Sequence, residues 1–173
     1  MPRLFASDDD NDLVRAERDV RNAFDGVALD LRALSTVSNI FRVATAVRNH
    51  MENGVLQQHE LSWSAFTSLF VLRVWGDMDA RSLAAEAGIT AATLTGVMKT
   101  LEGRGLIKRR SDRNDGRRVL VSLTPKGRKV IDTIMPTFNH HESLVVQALT
   151  EEEQDQLAAS LRAVLRTVDA IDL

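Results

Sequence analysis

Apolar residues recur at intervals of three and four along most of this chain, which predicts a largely helical protein. Between about residues 27 and 51 they form a wide apolar stripe. A helix that packs alone on a small surface would need a narrower one. We expect this helix to end near Gly54. A shorter, mostly buried helix is predicted to begin at a cap on Ser62, to include Trp63 and Val74, and to end at Gly76.

The following segment has the spacing of a helix-turn-helix motif. Asp79 caps a short predicted helix that ends near Ala87, Gly88 supplies a tight turn, and Thr90 caps the second helix. One face of the second helix is apolar at the spacing of a buried stripe: Leu94, Val97, Met98 and Leu101. Apart from a lysine, the opposite face has short side chains, so the helix backbone could lie close to a large partner. Its residues are Ala91, Ala92, Thr95, Gly96 and Lys99.

A hairpin is predicted immediately after the second helix. Gly103 and Gly105 end that helix, because glycine adopts the left-handed conformation without strain. Residues 106–110 and 118–123 are the two predicted strands, and an Asn-Asp-Gly turn lies between them. In the second strand, alternate residues face one side: Val119, Val121 and Leu123. A helix-turn-helix followed by such a hairpin is typical of the winged-helix fold.

Both ends of the chain are expected to be helical. Thr124 and Pro125 begin a helix that Pro136 should kink, and Thr150 opens a last helix with a capping box. The apolar stripe of the first of these helices contains Ile131, Ile134, Phe138, Val145 and Leu149. The stripe of the last helix contains Leu157, Leu161, Val164, Val168 and Ile171. Residues 1–22 are polar, and the expectation there is an arm that becomes helical only after Asp12.

These terminal stripes have no remaining sequence to cover them, and soluble monomers rarely expose large apolar patches. We therefore expect a homodimer. The predicted fold is mainly α with a small β-hairpin wing, a winged helix-turn-helix whose N- and C-terminal helices form a dimerisation region. The predicted parts are a flexible arm (1–22), an N-terminal dimerisation helix and loop (23–60), a winged helix-turn-helix (61–124) and C-terminal dimerisation helices (125–173).

The charge distribution indicates what the winged helix binds. The whole chain has a net charge of −2, but residues 99–129 contain eleven bases and three acids, so this segment is +8 and the remainder is −10. An acidic protein with one basic face suits contact with polyphosphate on that face alone. The alternative is a solvated basic loop. The bases of the hairpin, with Arg110, Arg113, Arg117 and Arg118 among them, are candidate DNA contacts.

Several other classes of site and protein are disfavoured. There are no cysteines, so no disulfide or thiolate metal site is available. His140 and His141 are adjacent, so on a helix they point about 100° apart and would not converge on a metal. No nucleophile elbow, phosphate loop or metal-ligand motif is present, so we expect no catalytic residues and no cofactor. The chain lacks an apolar membrane span and a secretory signal, which predicts a cytoplasmic protein.

The segment from Asp115 to Gly127, with the sequence DGRRVLVSLTPKG, closely resembles the wing and following helix start of the MarR family of bacterial transcription regulators. Residues 101–107, LEGRGLI, are similar to that family's recognition-helix ending. The resemblance covers about residues 30 to 170. It implies a dimeric repressor that binds near-palindromic double-stranded DNA and is released by a small aromatic or phenolic anion.

The resemblance also implies roles for individual residues. Arg117 matches the wing-tip arginine that enters the minor groove, and Asp115 matches the acid that holds the wing loop in shape. Thr93 and Thr95 match polar recognition-helix positions. Gly96 departs from the family, because many relatives have a longer polar side chain there. This implies less direct base readout and more dependence on Lys99, the threonines and groove shape.

In that family the effector pocket lies where the first long helix and the next helix meet the winged domain. The candidate ligand residues are Arg42, Arg48, Trp63 and Arg73, because an arginine can pair with a carboxylate and an aromatic side chain can stack on a ring. Alternatively, Trp63 is a core residue and the arginines form surface or dimer salt bridges. The alternative function is a winged-helix module that binds protein partners, or a ligand-independent architectural DNA binder.

Overall fold

The computed structural model describes residues 15–111 and 119–171. Its elements in chain order are α1 (Arg15–Ala23), α2 (Leu31–Gly54), a 3₁₀ helix (Leu56–His59), α3 (Trp63–Trp75), β1 (Met78–Asp79), α4 (Ala80–Glu86), α5 (Ala91–Gly103), β2 (Ile107–Ser111), β3 (Val119–Leu123), α6 (Pro125–Val146) and α7 (Glu151–Asp169). The prediction of a mainly helical fold with a small hairpin wing is confirmed. The chain forms two compact units that divide between Val47 and Arg48, within α2.

Side-chain caps begin the helices of the second unit where the sequence predicts them. The Ser62 hydroxyl accepts a hydrogen bond from the backbone N–H of Ala65 at 3.2 Å, and Asp79 caps α4 in the same way. Thr90 caps α5, Thr124 caps α6, and α7 begins with a complete capping box. Each cap satisfies an amide that the first turn of a helix leaves without a partner.

The sheet contains one strand that the sequence does not predict. The strand order of the sheet is β1-β3-β2 and both pairs of strands are antiparallel. In the hairpin, Arg109 lies opposite Val121. β1 has only two residues, and it pairs with β3 through Met78 opposite Val121 and Asp79 opposite Leu120. The central wing strand is therefore hydrogen-bonded to the segment that leads into α4.

The core of this unit is packed around α3, which contacts α4, α5, α6 and β3. The fully buried side chains include Leu69, Leu83, Leu94, Leu101, Ile131 and Ile134. The stripe of α5 is confirmed, although Val97 is only half-buried. Val74 is an exception to the predicted burial of α3, since it lies at the end of the helix and is 52% exposed.

The last two helices differ in burial. In α6, Ile131, Ile134 and Phe138 are buried, and the helix continues through Pro136. Among the described residues, α7 contains none that is buried. Its exposed apolar side chains, together with Ile171 after it, are Leu157, Leu161, Val164, Leu165 and Val168. The uncovered stripe that the sequence predicts on the last helix is present in this chain.

The first unit contains α1 and most of α2. The helical part of the predicted arm is confirmed for residues 15–23, and the side-chain amide of Asn39 in α2 donates to the Glu17 carboxylate in α1 at 2.5 Å. Three apolar side chains on this part of α2 are exposed: Val37, Phe41 and Val43. The predicted division into four parts stays a prediction.

Candidate nucleic-acid interface

The α5 helix presents one face to solvent, and that face is the one predicted from the sequence. Ala91, Ala92, Thr95, Gly96 and Lys99 are all exposed, whereas Leu94, Met98 and Leu101 on the opposite face are buried. Beyond the neighbouring residues and the backbone of its own helix, a Cβ atom built on Gly96 would meet no heavy atom of the described residues within 4 Å. Packing within the chain therefore does not require glycine at this position.

Threonine hydroxyls on α5 form hydrogen bonds within the helix. Thr90 Oγ1 accepts from the backbone N–H of Thr93 at 3.1 Å and lies 2.9 Å from Thr93 Oγ1. The Thr95 hydroxyl donates to the carbonyl oxygen of Ala91 at 2.9 Å. Thr95 is exposed on the predicted face, and Thr93 is exposed as well.

The wing is attached to the helix-turn-helix by an arginine that was predicted to contact DNA. Two nitrogens of the Arg110 guanidinium lie 2.6 and 3.2 Å from Asp77 Oδ2, and its Nε lies 3.2 Å from the buried Ser122 hydroxyl. Partial burial raises the pKa of Asp77, but the hydrogen bonds from Arg110 and Ser122 and the positive charges of Arg110 and Lys108 outweigh this and lower it. Arg110 thus has a structural role at the base of the wing.

A second set of contacts holds the end of α5 against the end of the 3₁₀ helix, the hairpin and α6. Arg104 donates to the backbone carbonyls of His59 and Glu60 at 2.9 and 2.6 Å, and Lys126 Nζ donates to the Arg104 carbonyl at 2.8 Å. Arg109 lies 3.0 Å from the Glu102 carboxylate. Several bases of the +8 segment therefore form contacts within the protein as well as adding to its positive charge.

Gly127 allows the start of α6 to lie in direct contact with the backbone of Leu106, the residue before β2. A Cβ atom at this position would lie 2.0 Å from the carbonyl oxygen of Leu106, so no larger residue fits without backbone movement. The Thr124 hydroxyl donates to the Gly105 carbonyl at 2.7 Å beside this contact. The Thr-Pro-Lys-Gly segment thus begins α6 and also provides a close contact between two stretches of backbone.

The tip of the predicted wing, residues 112–118, lies outside the described residues. The roles assigned to Arg113, Asp115, Arg117 and Arg118 therefore stay predictions.

The candidate ligand residues have separate surroundings. Trp63 is half-buried, with ring centroids of Phe138 and Phe66 at 6.2 and 6.3 Å, which favours a core role. Arg73 forms an ion pair with Asp132 at 2.7 Å, and Arg48 is exposed. Arg42 belongs to the first unit.

A groove of about 590 Å³ lies at the start of α6, and none of the four candidate ligand residues lines it. Its lining residues are Leu123, Thr124, Pro125, Arg128, Lys129, Asp132 and Thr133.

The sequence did not reveal a pair of histidines on α2 and α6. His50 Nε2 and His141 Nδ1 are 2.9 Å apart, which requires one of the two nitrogens to donate and the other to accept. These residues are 91 positions apart in sequence, so no local motif indicates the contact.

Among the described residues there is no group of three or more His, Cys, Asp or Glu side chains that could hold a metal ion. Within the same described ranges, none of the helices is both long and apolar enough to span a membrane.

Comparison with known proteins assigns the chain to a family. A model of the MarR family matches residues 61–119. YwaE of Bacillus subtilis, an uncharacterized HTH-type transcriptional regulator, is 38% identical over 137 residues, which cover 79% of this chain and 80% of that protein.

Two solved structures share the fold of this chain. MepR of S. aureus in complex with DNA has a TM-score of 0.66 and 26% identity, over 75% of this chain and 96% of that one. BpsR of Bordetella bronchiseptica, whose DNA binding is regulated by 6-hydroxynicotinic acid, has a TM-score of 0.67 and 26% identity, over 75% of this chain and 98% of that one. The chain belongs to the MarR family of transcription regulators.

Proposed function

We propose that this protein is a homodimeric repressor that binds duplex DNA through α5 and the wing and is released by a small aromatic ligand. The observation that supports DNA binding is the solvent-exposed face of α5, whose side chains are mostly short. This face lies next to the hairpin, in a segment with a net charge of +8. Short side chains allow the helix backbone to approach the base edges of a major groove, which accommodates an α-helix. The similarity to MepR, solved as a DNA complex, supports this use of the fold.

The electrostatic part of the proposal is tested by the dependence of DNA affinity on salt. Each phosphate contact should contribute about 0.9 to the slope of log affinity against log salt concentration. Lys99 is the exposed cation of the α5 face, so Lys99→Ala should lower affinity and make the slope shallower by about that amount. Arg32→Ala, which removes an exposed cation of α2, is the control and should change neither quantity. A wild-type slope near zero would contradict DNA binding and favour a module that binds protein partners.

The dimer is supported by the apolar side chains of α7, none of which is buried by the residues that the structure describes. A second copy would cover them, and a two-fold dimer would place two α5 helices one turn of DNA apart, as a near-palindromic site requires. Leu161→Glu should shift sedimentation toward the monomer and abolish tight DNA binding. Arg162→Glu, the next residue on the same helix, should leave the dimer intact. A wild-type protein that sediments as a monomer at micromolar concentration would contradict the proposal.

The ligand part rests on the regulation of BpsR by 6-hydroxynicotinic acid and on the four candidate residues. A releasing ligand must bind the form that does not bind DNA more tightly than the form that does. Trp75 is 59% exposed, so Trp75→Phe leaves Trp63 as the only tryptophan reporter. In that variant, an aromatic carboxylate should change fluorescence and stabilise the fold by about 2.7 kcal/mol at one hundred times its dissociation constant. A panel of aromatic carboxylates and phenols that produces neither effect would leave a ligand-independent architectural DNA binder as the better description.

A further inference from the structure

The exposed face of α5 has few groups that can donate hydrogen bonds. Ala91 and Ala92 present only methyl groups, Gly96 has no side chain, and Lys99 lies at the C-terminal end of the face. The remaining residue, Thr95, has a hydroxyl group with a single proton, and that proton is donated to the Ala91 carbonyl at 2.9 Å. The side chains of this face therefore present methyl groups, one hydroxyl acceptor and one ammonium group, and the exposed hydroxyl of Thr93 next to it lies 2.9 Å from Thr90 Oγ1.

We propose that α5 selects its DNA sequence through the C5-methyl groups of thymine, which it contacts with the methyl groups of Ala91, Ala92 and Thr95. This inference rests on the proposed function, because it requires α5 to lie in the major groove. In that groove the thymine methyl is the one apolar group among hydrogen-bonding edges, and alanine and threonine methyl groups are suited to contact it. The side chains that pair with adenine or guanine through two hydrogen bonds, apart from a lysine, do not occur on this face.

The open surroundings of these residues support the contact. Ala91 and Ala92 lie in the first turn of α5 and Thr95 lies one turn later; all three are exposed, and the absence of a side chain at Gly96 leaves open space beside them. A thymine methyl could therefore approach within van der Waals distance of two or three protein methyl groups without displacing any side chain. The Thr95 hydroxyl bond to the helix backbone holds the threonine side chain in one rotamer.

The test begins with the full-length protein and a pool of random DNA duplexes, from which bound sites are selected and sequenced. Each thymine of a selected site is then replaced by deoxyuridine, which lacks only the C5-methyl group. We expect a loss of about fourfold in affinity for each contacted thymine, and no change at thymines outside the protected half-sites. Selection of no preferred duplex would overturn the proposed function itself. A preferred duplex that tolerates deoxyuridine at every protected position would overturn this inference alone.

A matched pair of variants assigns the contact to Thr95. Thr95→Ser keeps the hydroxyl and removes the methyl, so it should lose about fourfold on thymine DNA and nothing further on the matching deoxyuridine DNA. Thr95→Val keeps a methyl in the same position and removes the hydroxyl, so it should bind thymine DNA about as well as wild type. A larger loss for Thr95→Val than for Thr95→Ser would mean that the hydroxyl group contacts the bases, and would overturn the proposal for this residue. Thermal unfolding of both variants checks that the fold is unchanged.

Discussion

Replacing Gly96 with alanine should stabilise the fold and weaken DNA binding at the same time. Glycine inside a helix costs about 0.8–1 kcal/mol relative to alanine. Apart from the helix's own backbone and the adjacent residues, no atom of the described part of the chain lies within 4 Å of a Cβ added at Gly96, so no clash there offsets this gain. For a chain of this size, a gain of about 1 kcal/mol raises the melting temperature by about 2–4 °C.

The loss of DNA affinity follows from the position of the new methyl group. Gly96 lies at the centre of the face that we place against DNA, where an extra methyl between close-packed surfaces costs about 1–3 kcal/mol for each half-site. Gly103→Ala is the matched control, because Gly103 ends the same helix, is exposed and also has nothing within 4 Å of its added Cβ. It should leave DNA affinity unchanged.

Both effects can be measured on one preparation, by calorimetric unfolding and by fluorescence anisotropy with a labelled duplex. A Gly96→Ala protein with a raised melting temperature and wild-type affinity would show that the α5 backbone does not approach DNA closely. A lowered melting temperature would contradict the open surroundings of Gly96.

Three further substitutions test the rest of the unit. Gly127→Ala places a Cβ atom 2.0 Å from the Leu106 carbonyl oxygen, so it should lower the free energy of unfolding by about 3 kcal/mol or more, measured by urea denaturation. Asp77→Asn should reduce stability at neutral pH by less than about 1 kcal/mol, since this ion pair is partly exposed. Because the folded state lowers the pKa of Asp77, its contribution is present above about pH 4 and is lost as the pH falls below that value, so the difference between variant and wild type should vanish in acid. Asp115→Ala should weaken DNA binding, although it removes a negative charge, if the carboxylate braces the wing loop; tighter binding would show that the wing acts only through its positive charge.

Local side-chain chemistry made most helix starts predictable. Ser62, Thr90 and Thr150 each cap a helix with an oxygen that reaches an amide three residues later, so the signal lies within one turn of chain. The exposed and buried faces of α5 were predictable for a similar reason, because the spacing of apolar residues at the helical period shows which face is buried.

Contacts between distant segments were not predictable in this way. β1 has two residues, too few for an alternating pattern, and it becomes a strand only by pairing with β3. Arg110 was assigned to DNA from its charge, but its pairing with Asp77 is set by the packing of residues 33 positions apart.

The short strand β1 has a consequence for the kind of DNA that the protein can recognise. Asp79 pairs with Leu120 of β3 through its backbone and caps α4 through its carboxylate, which accepts from the Ser82 N–H at 2.9 Å. One residue thus joins the central wing strand to the helix that precedes α5, and this link restricts their relative orientation. Two rigid elements can occupy adjacent grooves only when the duplex has a particular helical twist. Negative supercoiling changes that twist, and the same DNA site should therefore be bound with different affinity on a relaxed and on a supercoiled plasmid.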